Sequence, residues 1–146
     1  MHDHPTLVAS YKVRNHDIDA YGHVNNAAYL RIIEDTMVDM FDERGIHLID
    51  LGHAGVSVYM KEIAITYVRP AFFGDVLTVT TWFEKLSRVK MLWKNEIIRS
   101  ETGEVLTRVA GCAVFVKNDG RVIAIPERVR MELSKYVVKR STHESA

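Results

Sequence analysis

The sequence predicts an α+β domain in which one antiparallel-rich sheet packs a single long helix against one face. Three observations predict it. Apolar residues recur at three- and four-residue steps in one long stretch only, strand-like runs follow one another through the second half of the chain, and turn-forming pairs separate those runs. The resulting order of β, then α, then β repeatedly leaves one sheet to bury one face on one helix.

Residues 7–14, LVASYKVR, end in alternating apolar and polar positions and predict a half-buried strand. The acidic stretch DIDAYGHVNN is then a strand-to-helix loop. From Asn26 onward, Tyr29, Ile32, Ile33, Thr36, Met37, Met40 and Phe41 share one helix face, while Arg31, Asp35, Asp39, Asp42 and Glu43 take the other positions. Gly45 stands where a left-handed cap would stop the helix. A loop containing Gly52 and Gly55 leads to strands over 56–68, 76–86, 89–99, 105–116 and 122–125. Arg69-Pro70, Gly74-Asp75, Leu86-Ser87-Arg88, Thr102-Gly103 and Asp119-Gly120 punctuate them. After Pro126, ERVRMELSKYVVKR has the helix formers of a short closing helix, and STHESA reads as a polar, frayed end.

At 146 residues, 47% hydrophobic and 26% charged, the chain is expected to fold as one domain over 1–146, with a polar tail from about 138. Lys and Arg number 19, as do Asp and Glu, so no overall field gathers nucleic acid or an anionic membrane, and an anionic ligand needs a local basic cluster. The apolar runs are too short to cross a bilayer and MHDHPT is polar, so a cytoplasmic location is expected. The lone Cys112, in VAGCAVF, has no His or Asp beside it and reads as a small strand residue rather than a nucleophile.

The chemistry is concentrated in DIDAYGHVNNAAYL. A helix N-terminus offers unpaired backbone N–H groups and a partial positive charge, so a carbonyl oxygen placed there is polarised and an oxyanion stabilised. Asn25 and Asn26 suit that boundary, one as a side-chain cap, and Gly22 lets the loop turn sharply or a ligand approach. Asp19 brings a carboxylate near the polarised carbonyl. A carboxylate, an oxyanion hole and the His23 imidazole are what acyl transfer to water requires. The same local sequence also allows Asp17 and Asp19 to be turn and capping residues only.

DIDAYGHVNNAAYLRIIE resembles the signature of hotdog-fold acyl-CoA thioesterases of the 4-hydroxybenzoyl-CoA thioesterase type. The shared features are an acid-x-acid pair, a Gly, a short hydrophobic step, Asn residues and a Tyr-led helix containing Glu. ITYVRPAFFGDVLTV resembles the second landmark of that family, Tyr-x-x-Pro followed by Gly-Asp and a long strand, and IAIPERV resembles its closing strand. The landmarks occur in order over about residues 10–130.

The resemblance implies a hotdog fold, a curved antiparallel sheet wrapped around one long central helix, and hydrolysis of an acyl-CoA thioester without a cofactor. It implies Asp19, the second acid of the pair, as the catalytic carboxylate, with the polarising N–H at Asn26 and Asp17 orienting the loop. His23 is similar to the His of the related acyl-ACP thioesterases, whose motif also reads HVNN. Those enzymes carry an Asn two residues before that His, where this chain has Tyr21. A homodimer with sites at the interface, often doubled to a homotetramer, is implied as well.

Several alternatives stay open from sequence. Glu34 is a second carboxylate candidate, because another branch of hotdog thioesterases carries its acid on the helix, yet it would stand about 12 Å along α-helical rise from Asn26 and is expected to pack or bond inside the structure instead. His16, Asp17, Asp19 and His23 have metal-ligand chemistry but no common ligand spacing, and no metal is expected. Tyr29, in the first helical turn, is the aromatic nearest the proposed chemistry. For CoA phosphates, KLSRVKMLWK supplies Arg88 and Lys90, with Arg69 in the second landmark a further candidate; the same lysines would also protect a strand edge. A non-catalytic acyl-thioester binder and a hotdog dehydratase using His23 as base are the competing functions.

Overall fold

The computed structural model describes residues 2–139. The chain runs β1 (Leu7–Lys12), a 3-10 turn (Asn15–Asp17), α1 (Ala28–Asp42), α2 (Leu48–His53), β2 (Val56–Tyr67), β3 (Val76–Leu86), β4 (Lys90–Arg99), β5 (Val105–Lys117), β6 (Val122–Ile123), α3 (Glu127–Leu133) and a closing 3-10 turn (Ser134–Tyr136). The strands form one antiparallel sheet in the order β1-β3-β4-β5-β2, with β6 paired to the end of β5.

Alternation along the strands decides which face meets the helix. Leu77, Val79 and Phe83 of β3 and Met91, Trp93 and Ile97 of β4 are buried, whereas Leu92 and Lys94, between the buried β4 residues, are exposed. Tyr29, Ile32, Ile33, Met40 and Phe41 of α1 belong to the same core cluster. The expected α+β fold with one long helix on an antiparallel sheet is therefore the observed one. Trp93 sets the closest packing: a Cβ at Gly111, its neighbour on β5, would lie 2.2 Å from the indole ring.

The helix starts at Ala28 rather than Asn26, because Asn25 makes a turn first. Its Oδ1 accepts from the Ala27 N–H at 2.8 Å and its carbonyl accepts from the Ala28 N–H at 2.8 Å. At the other end Gly45, at φ +74°, closes a Schellman cap: its N–H reaches the Asp42 carbonyl at 3.0 Å, and that of Ile46 reaches Phe41 at 2.9 Å. The segment expected as a loop before β2 contains α2. Leu48 and Leu51, one turn apart, pack against the core, so tertiary burial makes a helix that local propensity did not announce. The short helix expected after Pro126 is α3; most of the expected polar tail, including STHESA, lies outside the described residues. Among the described residues, no helix is long and apolar enough to cross a membrane.

Candidate active site

The loop between β1 and α1 is anchored by Asp17. This carboxylate is fully buried and accepts from the Tyr11 hydroxyl at 2.7 Å, the Arg14 N–H at 2.9 Å and the Arg31 guanidinium, with His16 Nε2 at 3.5 Å. Burial alone would push its pKa up, but the Arg14, Tyr11 and Arg31 hydrogen bonds and the nearby His16 outweigh that and hold it below the ordinary carboxylate value. The Asp17 carbonyl also accepts the Asn25 N–H at 2.7 Å, so both ends of the loop are tied to one residue.

A depressed folded pKa carries a stability consequence. The stabilisation is complete above the unfolded carboxylate value of about 3.9 and is lost as pH falls through the lower folded value. Asp17→Asn is therefore expected to lower the melting temperature at neutral pH, and the gap to wild type should shrink in acid below pH ~4. A gap that stays constant through the acid range would show that the charge of Asp17 is not what holds the loop.

Asp19 stands on the turn that Asp17 anchors. Ile18 and Val24 form an antiparallel bridge, and inside it the Asp19 N–H reaches the His23 carbonyl at 2.9 Å. Asp19 Oδ1 accepts from the N–H of Tyr21 at 2.9 Å and of His23 at 3.4 Å. Gly22, at φ +79°, makes this tight turn possible. One carboxylate oxygen thus serves the turn; among the described residues Oδ2 has no partner.

Asp19, His23, Asn26 and Arg69 line one open cleft of about 390 Å³, together with Tyr21, Tyr67 and Pro70. His23 bridges to Phe72 along the backbone, and its ring sits edge-on to the Phe72 ring at 5.3 Å. Asn26 lies in the turn that opens α1, and among the described residues its N–H donates to no group. Tyr67, at the end of β2, donates its hydroxyl to the Asn26 carbonyl at 2.8 Å and so fixes this residue in the turn before the helix. Tyr67→Phe deletes only that bond. It is expected to lower kcat about tenfold with little change in KM, the size of one net hydrogen bond acting through geometry; an unchanged kcat would exclude a positioning role.

The opposite wall is held by Arg99. Its guanidinium donates to Asp75 Oδ2 at 3.1 Å, to the Pro70 carbonyl at 2.9 Å and to Glu104, and lies 5.8 Å from the Phe72 ring centre. Burial works against its charge, but the Asp75 and Glu104 carboxylates prevail and raise its pKa. Asp75 Oδ2 also accepts from the Phe72 N–H at 2.9 Å, which fixes the segment between Pro70 and β3. Arg69 is 62% exposed at the cleft, with Nε 3.5 Å from Glu104 Oε2. No motif in the sequence marks Arg99, and Tyr67 stands there only as part of a fold landmark.

The remaining candidates lie elsewhere. Tyr29 is 1% exposed in the core, where its ring meets Tyr67 edge-on at 5.4 Å, so it supports the cleft from beneath and does not line it. Arg88 and Lys90 are exposed at the β3–β4 turn. The cleft adjoins the start of β3, and that strand's 11 residues separate the two ends by about 36 Å. Glu34, expected to pack or bond inside, is exposed on α1, because its position falls on the polar side of the helix. Of the four-residue metal alternative, Asp17 is taken up by its own donors, and among the described residues no group of three His, Cys, Asp or Glu side chains is placed to hold a metal.

A single antiparallel sheet on one long helix, with an acid-bearing turn at the helix start, defines a small α+β protein of the hotdog class. The chain belongs to the thioesterase-like superfamily, whose family profile matches residues 13–133. It is 27% identical over 119 residues to the chloroplastic acyl-acyl carrier protein thioesterase ATL2 of Arabidopsis thaliana, covering 82% of this chain and 63% of that one. It is 30% identical over 95 residues to the long-chain acyl-CoA thioesterase FadM of Escherichia coli, covering 65% of this chain and 71% of that one. The chain spans under two thirds of the length of the Arabidopsis relatives. Its fold is similar to that of a 1,4-dihydroxy-2-naphthoyl-CoA thioesterase from Synechocystis, with a TM-score of 0.83 at 17% identity, covering 89% of this chain and 96% of the other.

Proposed function

We propose that the cleft hydrolyses an acyl-CoA thioester to the free acid and the CoA thiol, with Asp19 as the reacting carboxylate. The observation that carries this reading is one carboxylate oxygen of Asp19 left without a partner among the described residues, in the cleft that Asn26 lines at the start of α1. The thioester carbonyl oxygen accepts from the Asn26 N–H, which takes up the negative charge as the carbonyl carbon becomes tetrahedral. Asp19 then acts in one of two ways. As a base it takes a proton from the attacking water. As a nucleophile it forms an anhydride that water opens in a second step. In both, the C–S bond breaks and the thiolate leaves and is protonated. His23 stands beside these groups as a proton carrier.

Arg69 at the rim is proposed to meet a CoA phosphate. Exposed Tyr67, Val68, Phe72 and Phe73 beside the cleft support burial by a second copy, as does the unpaired edge of β2, in line with the homodimer or homotetramer that the resemblance implies. In such an assembly Arg88 and Lys90, remote within one chain, are proposed to serve the nucleotide of the other protomer's substrate. A soluble, cytoplasmic enzyme is the corresponding expectation for its location.

The relatives named for acyl-CoA and for acyl carrier protein support two substrate carriers equally. Steady-state thiol release from matched acyl-CoA and acyl carrier protein substrates, with products identified by mass spectrometry, tests the reading. Free acid and thiol in equal amounts are expected from the CoA series. Enoyl product from a hydroxyacyl thioester would replace hydrolysis by dehydration, and saturable binding without product would replace the enzyme by a binding protein.

A further inference from the structure

Beneath α1 lies a small, partly open cavity of about 30 Å³, walled by Met37, Met40, Phe41, Phe83, Met91 and Trp93 and floored by Thr81 and Asn95. Asn95 is 4% exposed; its Nδ2 donates to the Thr81 hydroxyl, while its Oδ1 is buried and has no partner among the described residues. An orphaned acceptor facing an otherwise apolar space is costly unless a donor reaches it. The volume exceeds the 10–15 Å³ that a single water-sized group needs, enough for a hydroxymethyl group but not for a long chain.

The strand β2 runs from the cleft to this cavity, with Tyr67 lining the one and Val58 the other. The Tyr67 hydroxyl joins the end of β2 to Asn26 at the start of α1, while Val58 of β2 and Met37 of α1 both wall the cavity. Between those two points the core-facing side chains of β2, namely Met60, Ile63 and Ile65, are only half-buried, so the edge of the sheet beside α1 is an apolar seam. From Asn26 to Met37 the helical rise is about 16 Å, the span of a medium-length acyl chain. Methionine thioethers at the cavity rotate readily, which lets the seam admit a chain end.

Resting on the thioesterase reading above, we propose that the acyl tail runs along the α1–β2 seam and that Asn95 selects tails ending in a hydroxyl. That hydroxyl donates to Asn95 Oδ1 in the cavity. A methyl-ended tail leaves the acceptor unpartnered, and the difference falls on specificity rather than on the chemical step.

The test compares decanoyl-CoA with ω-hydroxydecanoyl-CoA. Wild type is expected to show a kcat/KM ratio of about ten in favour of the hydroxylated chain, the worth of one buried hydrogen bond. In Asn95→Leu and in Thr81→Val, each checked for folding by thermal unfolding, the ratio should fall to one or invert. A wild-type ratio near one, as when an internal water occupies the acceptor, overturns the proposal, as does a preference that both folded variants keep. Calorimetric titration of wild type with free decanoate and free ω-hydroxydecanoate reads the seam without the reaction. A tenfold preference there with no thiol released from any substrate would reject the hydrolase reading and keep the tail site. Equal affinities beside normal hydrolysis would do the reverse.

Discussion

Asp19→Asn is expected to lower kcat by about 10³-fold while KM for the acyl thioester changes little, within the range for loss of a catalytic acid or base. The substitution keeps the fold because the amide oxygen can still accept from the Tyr21 and His23 N–H groups, as Oδ1 does now. What it removes is the basic, nucleophilic character of the second oxygen. The structural reading of Asp19 and the chemical one thus part cleanly: a turn residue tolerates Asn, and a reacting carboxylate does not. Stopped-assay thiol release at saturating substrate, with melting temperature as the control, makes the distinction. Turnover within about fivefold of wild type in a folded variant would remove Asp19 from the chemistry.

Gly111→Ala is expected to destabilise the protein by about 3 kcal/mol and to lower its melting temperature by about 10 °C. The added methyl would overlap the Trp93 ring, 2.2 Å from its nearest atom, and that side chain is only 7% exposed. The indole has little room to give, since it is packed in the core cluster and held in register opposite Gly111. Measured in a Trp93→Leu background, the same substitution should cost less than about 1 kcal/mol, because the clash and not the glycine backbone is the cause. Gly111 has no positive φ to protect. Equal costs in both backgrounds would refute that account.

The order of elements was legible because the periodicities are long: α1 and the four long strands match their expected spans to within a few residues. Gly45 marked the end of α1 correctly, since a Schellman cap is a local event that sequence encodes. Its start was placed early, because Asn25 and Asn26 both have capping chemistry and only the structure shows which of them caps. The helix α2 was invisible for the opposite reason, its stability coming from contacts of Leu48 and Leu51 with distant residues.

The site divides in the same way. Asp19, His23, Asn26 and Arg69 lie in two motifs, and the fold brings them to one cleft. Tyr67 and Arg99 are placed by long-range contacts, to Asn26 and to Asp75 with Pro70, which no spacing announces. Tyr29 was drawn toward the cleft by its place in the first helical turn, but its side of the helix is the core side. Arg88 and Lys90 were grouped by charge alone, and β3 carries them to the far end of the sheet.

The central claim is that the thioester carbonyl is held at the Asn26 N–H beside Asp19. A non-hydrolysable ketone analogue of an acyl-CoA, titrated into ¹⁵N-labelled protein, tests it directly through the backbone amide resonances. The account predicts that the Asn26 amide proton moves downfield more than those of Asn25 and Ala27, whose N–H groups already have acceptors in the Asp17 carbonyl and Asn25 Oδ1. Saturable binding that leaves Asn26 unmoved would contradict it.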